Sequence, residues 1–362
     1  MKKLAFLVFF ISAVSFAQHT DEKTSHKTNS TEQTSDKSIK EQVREFIDHH
    51  LQDSYSFDFF SITQENGEVS HYGFPLPVIL WDGGLKVFSS SKFHHGETVA
   101  KVGENHYKLY HAKIYKTDAA GTIHYDAEHH ATNVKPLDFS ITKAIFFVFA
   151  VSLLMFFMFS RMAKSYKTNA IPTGVGRFLE PIILYIRDDI AIPNIGKKHY
   201  KRYMSYLLTI FFFVWIINLL GLSPLGVNVT NNVAITAALA LMTYFITTFT
   251  ANKDYWKHIF WMPGVPVPMK IILAPIELLG TFIKPFALMI RLYANITAGH
   301  VVMMSIIGMI FIFKSWLGGP LSFGLAFVLS LLELLVAALQ AYIFTMLSSL
   351  YFGSAVEEHD EH

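Results

Sequence analysis

Five ionisable side chains and two amides stand in apolar surroundings near the end of this sequence. Glu277, Lys284, Arg291, Asn295 and His300 share one apolar stretch, and Glu333 and Gln340 share the next. A guanidinium keeps its proton at any working pH, and placing it at mid-bilayer costs at least ~2.5–3.5 kcal/mol. Three, four and seven positions from Arg291 lie Leu288, Ala287, Lys284, Ala294, Asn295 and Ala298, with no carboxylate among them. Arg291 must find its counter-ion on another helix or in another chain. At 100° per residue, Glu277 falls within about 40° of Arg291 and roughly 21 Å away along the axis. Asn295 lies one turn past Arg291 on nearly the same face, whereas His300 points almost oppositely. Glu333 and Gln340 share a face. In an antiparallel hairpin turning at Gly318-Gly319, His300 and Glu333 reach similar depth. An imidazole beside a carboxylate in a wet membrane cleft can relay protons, because imidazole titrates near neutrality. The same pair can also serve as a structural ion pair. Lys284, near one end of its stretch, reads as snorkelling.

The elements that position these groups are membrane helices. Of the 362 residues, 52% are hydrophobic and 16% charged, and the apolar residues fall in blocks of spanning length. That pattern marks an integral membrane protein. The expected fold is an all-α polytopic membrane protein of about five transmembrane helices ending in a long slanted helical hairpin, with a small strand-containing N-terminal extracytoplasmic domain. Spans are expected over 139–160, 206–221, 231–249, 271–313 and 321–352. From residue 277 to 314 a helix would run about 55 Å, against an apolar core of about 30 Å. That stretch either breaks into two helices or lies steeply slanted, with Pro275 and Pro285 as kink sites. Arg161, Lys164, Lys167, Arg177, Lys197, Lys198, Lys201 and Arg202 place the connection after the first span in the cytoplasm. Within it, 175–190 suits an interfacial amphipathic helix. The membrane region is expected over 139–353, and the acidic tail 354–362 then ends in the cytoplasm. Asn218, Asn231, Asn232 and Thr236 are polar points near the outer ends of the second and third spans. They either bond helix to helix or line a vestibule opening outward.

Residues 1–17 read as a secretory signal peptide: Lys2 and Lys3, an apolar core, then Ser15-Phe16-Ala17. The mature N-terminus is then periplasmic and the membrane the cell inner membrane. Residues 18–40 carry almost nothing apolar and read as a disordered leader. Residues 41–52 form an amphipathic helix, and from 55 to 138 turns and alternation take over. Asn66-Gly67 and Asp82-Gly83-Gly84 signal turns, and 107–115 alternates as one strand. The pairs His49/His50, His94/His95 and His129/His130 invite a metal reading. Adjacent histidines on a strand face opposite ways, however, and no acid or thiol spacing accompanies them, so surface histidines are expected. Without cysteine there is no thiolate chemistry, and no phosphate loop, nucleophile elbow or zinc-ligand helix motif occurs. No cofactor, metal or nucleic-acid partner is expected.

At Arg291-Leu-Tyr-Ala-Asn295, with Ala298-Gly299 and a protonatable residue at 300, the chain resembles subunit a of the F-type ATP synthases. Glu277, Lys284-Pro285, Leu339-Gln340-Ala341-Tyr-Ile-Phe344, Trp215-Ile-Ile-Asn218-Leu with Pro224, and His49-His50-Leu51 belong to the same likeness. Many bacterial members carry Glu where this chain has His300 and His where it has Glu333, so the pair stands exchanged. The resemblance implies a non-catalytic channel subunit beside a rotating c-subunit ring whose members each carry a membrane carboxylate. Other implied partners are the b-subunit peripheral stalk, further ATP synthase subunits and the lipid bilayer. It also implies that Asn232, Asn295, His300, Glu333 and Gln340 belong to a proton path from outside, with Asn218 also among the proton-translocating residues. Glu277 would belong to the cytoplasmic path, with Arg291 barring leakage between the two. Typical members lack the region 18–138. A stand-alone proton-coupled secondary transporter would also use buried Arg, His and Glu, but paired internal repeats are not found. A metal-binding receptor with a membrane anchor would not need five polar-studded spans.

Overall fold

The structure is a computed structural model, and its described residues are 53–63, 69–126, 128, 130–168, 174–223, 229–262, 265–312 and 318–357. The expected signal peptide, leader and helix 41–52 lie outside them, as do His49, His50, His129, the 66–67 turn and Pro224.

Strands come first. β1 (Ser56–Thr63) pairs antiparallel with β2 (Val69–Pro75). β3 (Pro77–Trp81) lies between β4 (Leu85–Ser89) and the short β8 (Leu137–Asp138), and β6 (Asn105–Tyr110) lies between β5 (Ala100–Val102) and β7 (Lys113–Thr117). Val78, Leu80, Phe88, Phe93, Tyr107 and Ile114 form their shared core. The Asp82-Gly83-Gly84 turn closes β3 onto β4, with the Asp82 N–H donating to the Gly84 carbonyl at 3.1 Å. The segment 107–115 is not one strand. His111 and Ala112, with φ of 46° and 53°, reverse the chain between β6 and β7. A two-residue turn of this kind leaves each arm alternating, so periodicity could not reveal the reversal. His94 sits on a 3-10 helix (Ser90–Gly96) rather than a strand, so the opposite-face argument does not apply to it. Among the described residues no cluster of three His, Cys, Asp or Glu could hold a metal.

At the β3–β4 turn, the Lys116 ammonium lies 2.9 Å from Asp82 and the Tyr107 hydroxyl donates to it at 2.8 Å. These contacts hold the Asp82 carboxyl below its usual range. A depressed folded value means the contact stabilises above the ordinary carboxylate range and is lost as pH falls through the folded value. Hydrogen exchange at the β3–β4 turn of the intact protein should therefore speed up below about pH 4. Asp82→Asn should remove that pH dependence.

β8 feeds directly into the helices. The expected first span began at Phe139, but α1 runs Lys143–Thr168. Phe139 and Ile141 still donate to the Ile79 and Pro77 carbonyls, at 2.9 and 3.2 Å, so the sheet claims those residues. α2 (Val175–Tyr185) continues through a π-helical stretch (Ile186–Ala191) and one turn (Ile192–Ile195). Then follow α3 (Tyr200–Gly221), α4 (Val233–Thr250), α5 (Lys253–Phe260), α6 (Val267–Ile312) and α7 (Gly318–Val356). Five of these, α1, α3, α4, α6 and α7, are long and apolar enough to cross a membrane. The fold is thus the expected polytopic helical array with a small strand region ahead of it.

Three details differ from expectation or decide between its alternatives. The stretch after α2 is not merely interfacial, because Ile186, Ile190 and Ala191 are fully buried where it packs against α7. α6 does not break: Pro275 and Pro285 lie inside one helix of 46 residues, about 69 Å long at 1.5 Å per residue. Neighbouring helices can satisfy the carbonyls that proline leaves free, and of the two expected alternatives the break is the one not found. Finally, Gly318, Gly319 and Pro320 open α7 instead of forming the turn. Proline suits a first helical turn because its missing N–H would have no partner there.

The helical core gathers Leu207, Ile210, Val214 and Ile217 of α3 against Leu288 and Leu292 of α6 and Phe344 of α7. α7 approaches the 192–195 turn so closely that a Cβ at Gly353 would lie 2.0 Å from the Asn194 carbonyl oxygen. Backbone cannot yield as a flexible side chain can. Gly353→Ala should destabilise the packed helices by about 1–3 kcal/mol, read as a lower melting temperature of the purified complex.

Candidate functional site

The spacing in α6 translates directly into environment. Leu288, Leu292, Ile296 and His300 are buried, while Arg291 and Asn295 are exposed on another side. Around Arg291 the exposed surface is apolar, with Ile283, Phe286 and Ile290 all more than half exposed. Among the described residues no hydrogen bond or ion pair reaches the Arg291 guanidinium. Its charge acts on Tyr351 of α7.

His300 and Glu333 do meet. His300 Nδ1 lies 3.6 Å from Glu333 Oε1, and both side chains are largely buried, at 5% and 13% exposure. At that separation the contact is too long for a hydrogen bond, and it is an ion pair only when the imidazole is protonated. Both Glu333 carboxylate oxygens are otherwise buried without a hydrogen-bond partner in the protein. A buried carboxylate without hydrogen bonds is expensive. Gly299 allows the approach, since a Cβ there would stand 3.0 Å from Glu333 Oε1. The pair borders a cavity of about 290 Å³ that Asn218, Asn295, Met303 and Ala337 also line. A void of that size with several polar groups can hold water.

One turn beyond Arg291, Asn295 Nδ2 donates to Gln340 Oε1 at 2.9 Å, tying α6 to the buried Gln340 of α7. Asn218, buried in α3, donates weakly to the Ala337 carbonyl at 3.5 Å and accepts from Thr230 at 3.2 Å. Asn232 is placed apart from the cavity lining. It caps α4, its Oδ1 accepting from the Ala234 N–H at 3.0 Å, and its amide reaches Asp53 at 3.5 Å. Asn231 accepts a short hydrogen bond from the Thr297 hydroxyl of α6. Thr236 bonds to the Val233 and Asn232 carbonyls at the start of its own helix. The polar points at these helix ends therefore divide: Asn218 lines the cavity, all three asparagines bond to other segments, and Asn232 also caps α4.

At the other end of the hairpin, Glu277 is half-buried and within electrostatic reach of Tyr255 of α5 and of Lys284. Lys284 does not simply reach outward. Its ammonium lies 5.6 Å from the centre of the Tyr351 ring, in a recess shared with Tyr255, Thr243 and Thr281. Cation–π contact is worth more where water is excluded. Sequence reasoning missed Thr230, Thr297, Tyr255, Tyr351 and Asp53. None has a helical-spacing signal, because each acts across elements.

The family described as ATP synthase A chain matches residues 145–353, and a domain of unknown function matches 46–139. ATP synthase subunit a of Chloroherpeton thalassium is 41% identical over 233 residues, 62% of this chain and 69% of that protein. The subunit a of Pelodictyon phaeoclathratiforme is 43% identical over 249 residues, covering 65% and 72%. That of Myxococcus xanthus is 41% identical over 235 residues, covering 62% and 77%. A stand-alone transporter is not favoured by these relatives. With five helices of spanning length and a family match running from the start of α1 almost to the end of α7, this chain belongs to the ATP synthase subunit a family, a component of that enzyme's membrane sector.

Proposed function

We propose that the chain forms two aqueous half-channels, one from each side of the membrane, which reach mid-membrane without joining. The observation that carries this reading is the position of Arg291. It is exposed on an apolar face of α6, with no anion beside it among the described residues. A ring of c subunits turning past this face would present one membrane carboxylate after another. The permanent guanidinium lowers each arriving carboxylate's affinity for its proton, and its fixed charge bars direct passage between the half-channels.

On one side of Arg291, the residues Asn218, Asn295, His300, Glu333 and Gln340 form the outer path, with Asn232 at its rim. The 3.6 Å His300–Glu333 contact supports this, since an imidazole titrating near neutrality can hand protons to and from a neighbouring carboxylate. On the other side, Glu277 serves the cytoplasmic path. Each proton that crosses releases about 2.3 kcal/mol per 100 mV of membrane potential. The chain itself carries out no step on ATP. The basic connection between α1 and α3 supports an orientation in the inner membrane with the strand region periplasmic and the C-terminus cytoplasmic. The 46-residue α6 and its partner α7 would lie slanted along the curved ring. The b-subunit peripheral stalk would hold the chain still against rotation.

Affinity purification of the tagged chain from gently solubilised membranes tests the reading. A c-subunit ring, b subunits and the catalytic head should accompany it. A chain recovered alone, in membranes that pump protons on ATP, would overturn it.

A further inference from the structure

Residues 53–55 tie the strand region to the helices at several points. Asp53 Oδ1 accepts from the Ala144 N–H in the first turn of α1 at 3.1 Å, and Oδ2 accepts from Asn232 Nδ2 at the start of α4 at 3.5 Å. The Ser54 carbonyl accepts from the Lys143 N–H at 2.8 Å, and the Tyr55 hydroxyl donates to Asp138 at 2.5 Å. One carboxylate thus stands at two helix N-termini together, where negative charge is favoured by the helix dipole. The next links run inward. Asn232 caps α4, Asn231 accepts from Thr297, and Thr297 sits three residues before His300 on α6. Thr230, the preceding residue, donates to Asn218 in the cavity wall. The described residues fall in one compact unit, so the strand region is not a loosely tethered appendage.

We propose that Asp53 is a positioning residue for the proton path, through which the added strand region holds the rim of the His300–Glu333 cavity. The proposal rests on the reading of that cavity as the outer half-channel. Losing the carboxylate removes the polar link between the starts of α1 and α4. The 230–232 turn then no longer fixes Thr297 on α6 or Asn218 on α3, and the pair of proton carriers loses its register.

The test uses the whole complex reconstituted in liposomes, with proton-driven ATP synthesis expressed per assembled complex. Asp53→Ala should lower that turnover by about 3–30-fold, the range for lost positioning contacts. Asn231→Ala should do the same. The double variant should be no worse than the poorer single, because both break one chain of contacts. Asp53→Asn, which keeps an acceptor for the Ala144 N–H, should recover part of the loss. A merely structural role would reduce the amount of complex and leave turnover per complex unchanged, which would overturn the proposal. So would multiplying effects of the two single changes, or failure of both Asp53 variants to assemble. Arg291→Ala distinguishes the underlying reading: if it stops turnover while the Asp53 variants are normal, only the positioning role fails.

Discussion

Arg291→Ala is expected to abolish ATP-driven proton pumping by inverted membrane vesicles while the complex still assembles. The two halves of that expectation have separate grounds. Assembly should survive because Arg291 is exposed and makes no hydrogen bond or ion pair among the described residues. An exposed substitution of this kind changes stability by about 0.5 kcal/mol or less. Pumping should fall by roughly 100-fold or more, because removing a fixed charge from a low-dielectric path removes its largest electrostatic term. Arg291→Lys should not restore it fully, since a compact ammonium on a flexible stem does not reproduce a planar, permanently charged fork. Pumping that persists in Arg291→Ala vesicles at wild-type rate would end the half-channel reading.

The second large effect concerns the pair at 3.6 Å. His300→Glu alone places two carboxylates within a few ångströms, where like charges cannot both ionise without cost. Glu333→His alone leaves two imidazoles and no carboxylate. Each should slow proton-driven ATP synthesis by about 10–100-fold, in line with lost acid–base function. The double exchange restores one group of each kind on facing helices. The cavity of about 290 Å³ and the bare α6 surface at Gly299 give it room. It should recover well above either single variant. A double exchange that loses the product of the two single losses would show that the two positions act independently.

The helical period explains why so much of this site could be read in advance. Spacing becomes direction at 100° per residue, so Arg291 and Asn295 could be assigned one face and His300 another, and burial follows that division. Hydropathy likewise revealed the spans, because a bilayer core demands about 20 apolar residues per crossing. The boundaries were less legible. α1 starts at Lys143 because sheet hydrogen bonds hold the preceding residues, and no local signal records a strand formed with residues sixty positions earlier. The reversal at His111-Ala112 was hidden because both residues lack the usual glycine or asparagine of such turns.

By itself, the sequence determined the membrane class, the succession of spans, and the face on which each polar group of α6 stands. These are consequences of local composition and of a fixed helical repeat. The approach of His300 to Glu333, 33 residues apart, was legible from the hairpin, but tertiary structure alone decided the other meetings. Asn295 with Gln340, Asn231 with Thr297, and Asp53 with α1 and α4 join segments 45, 66 and up to 179 residues apart. Their depths agree only once α6 remains unbroken through two prolines and α7 returns along it. Such meetings depend on how helices cross, which spacing along one chain does not encode.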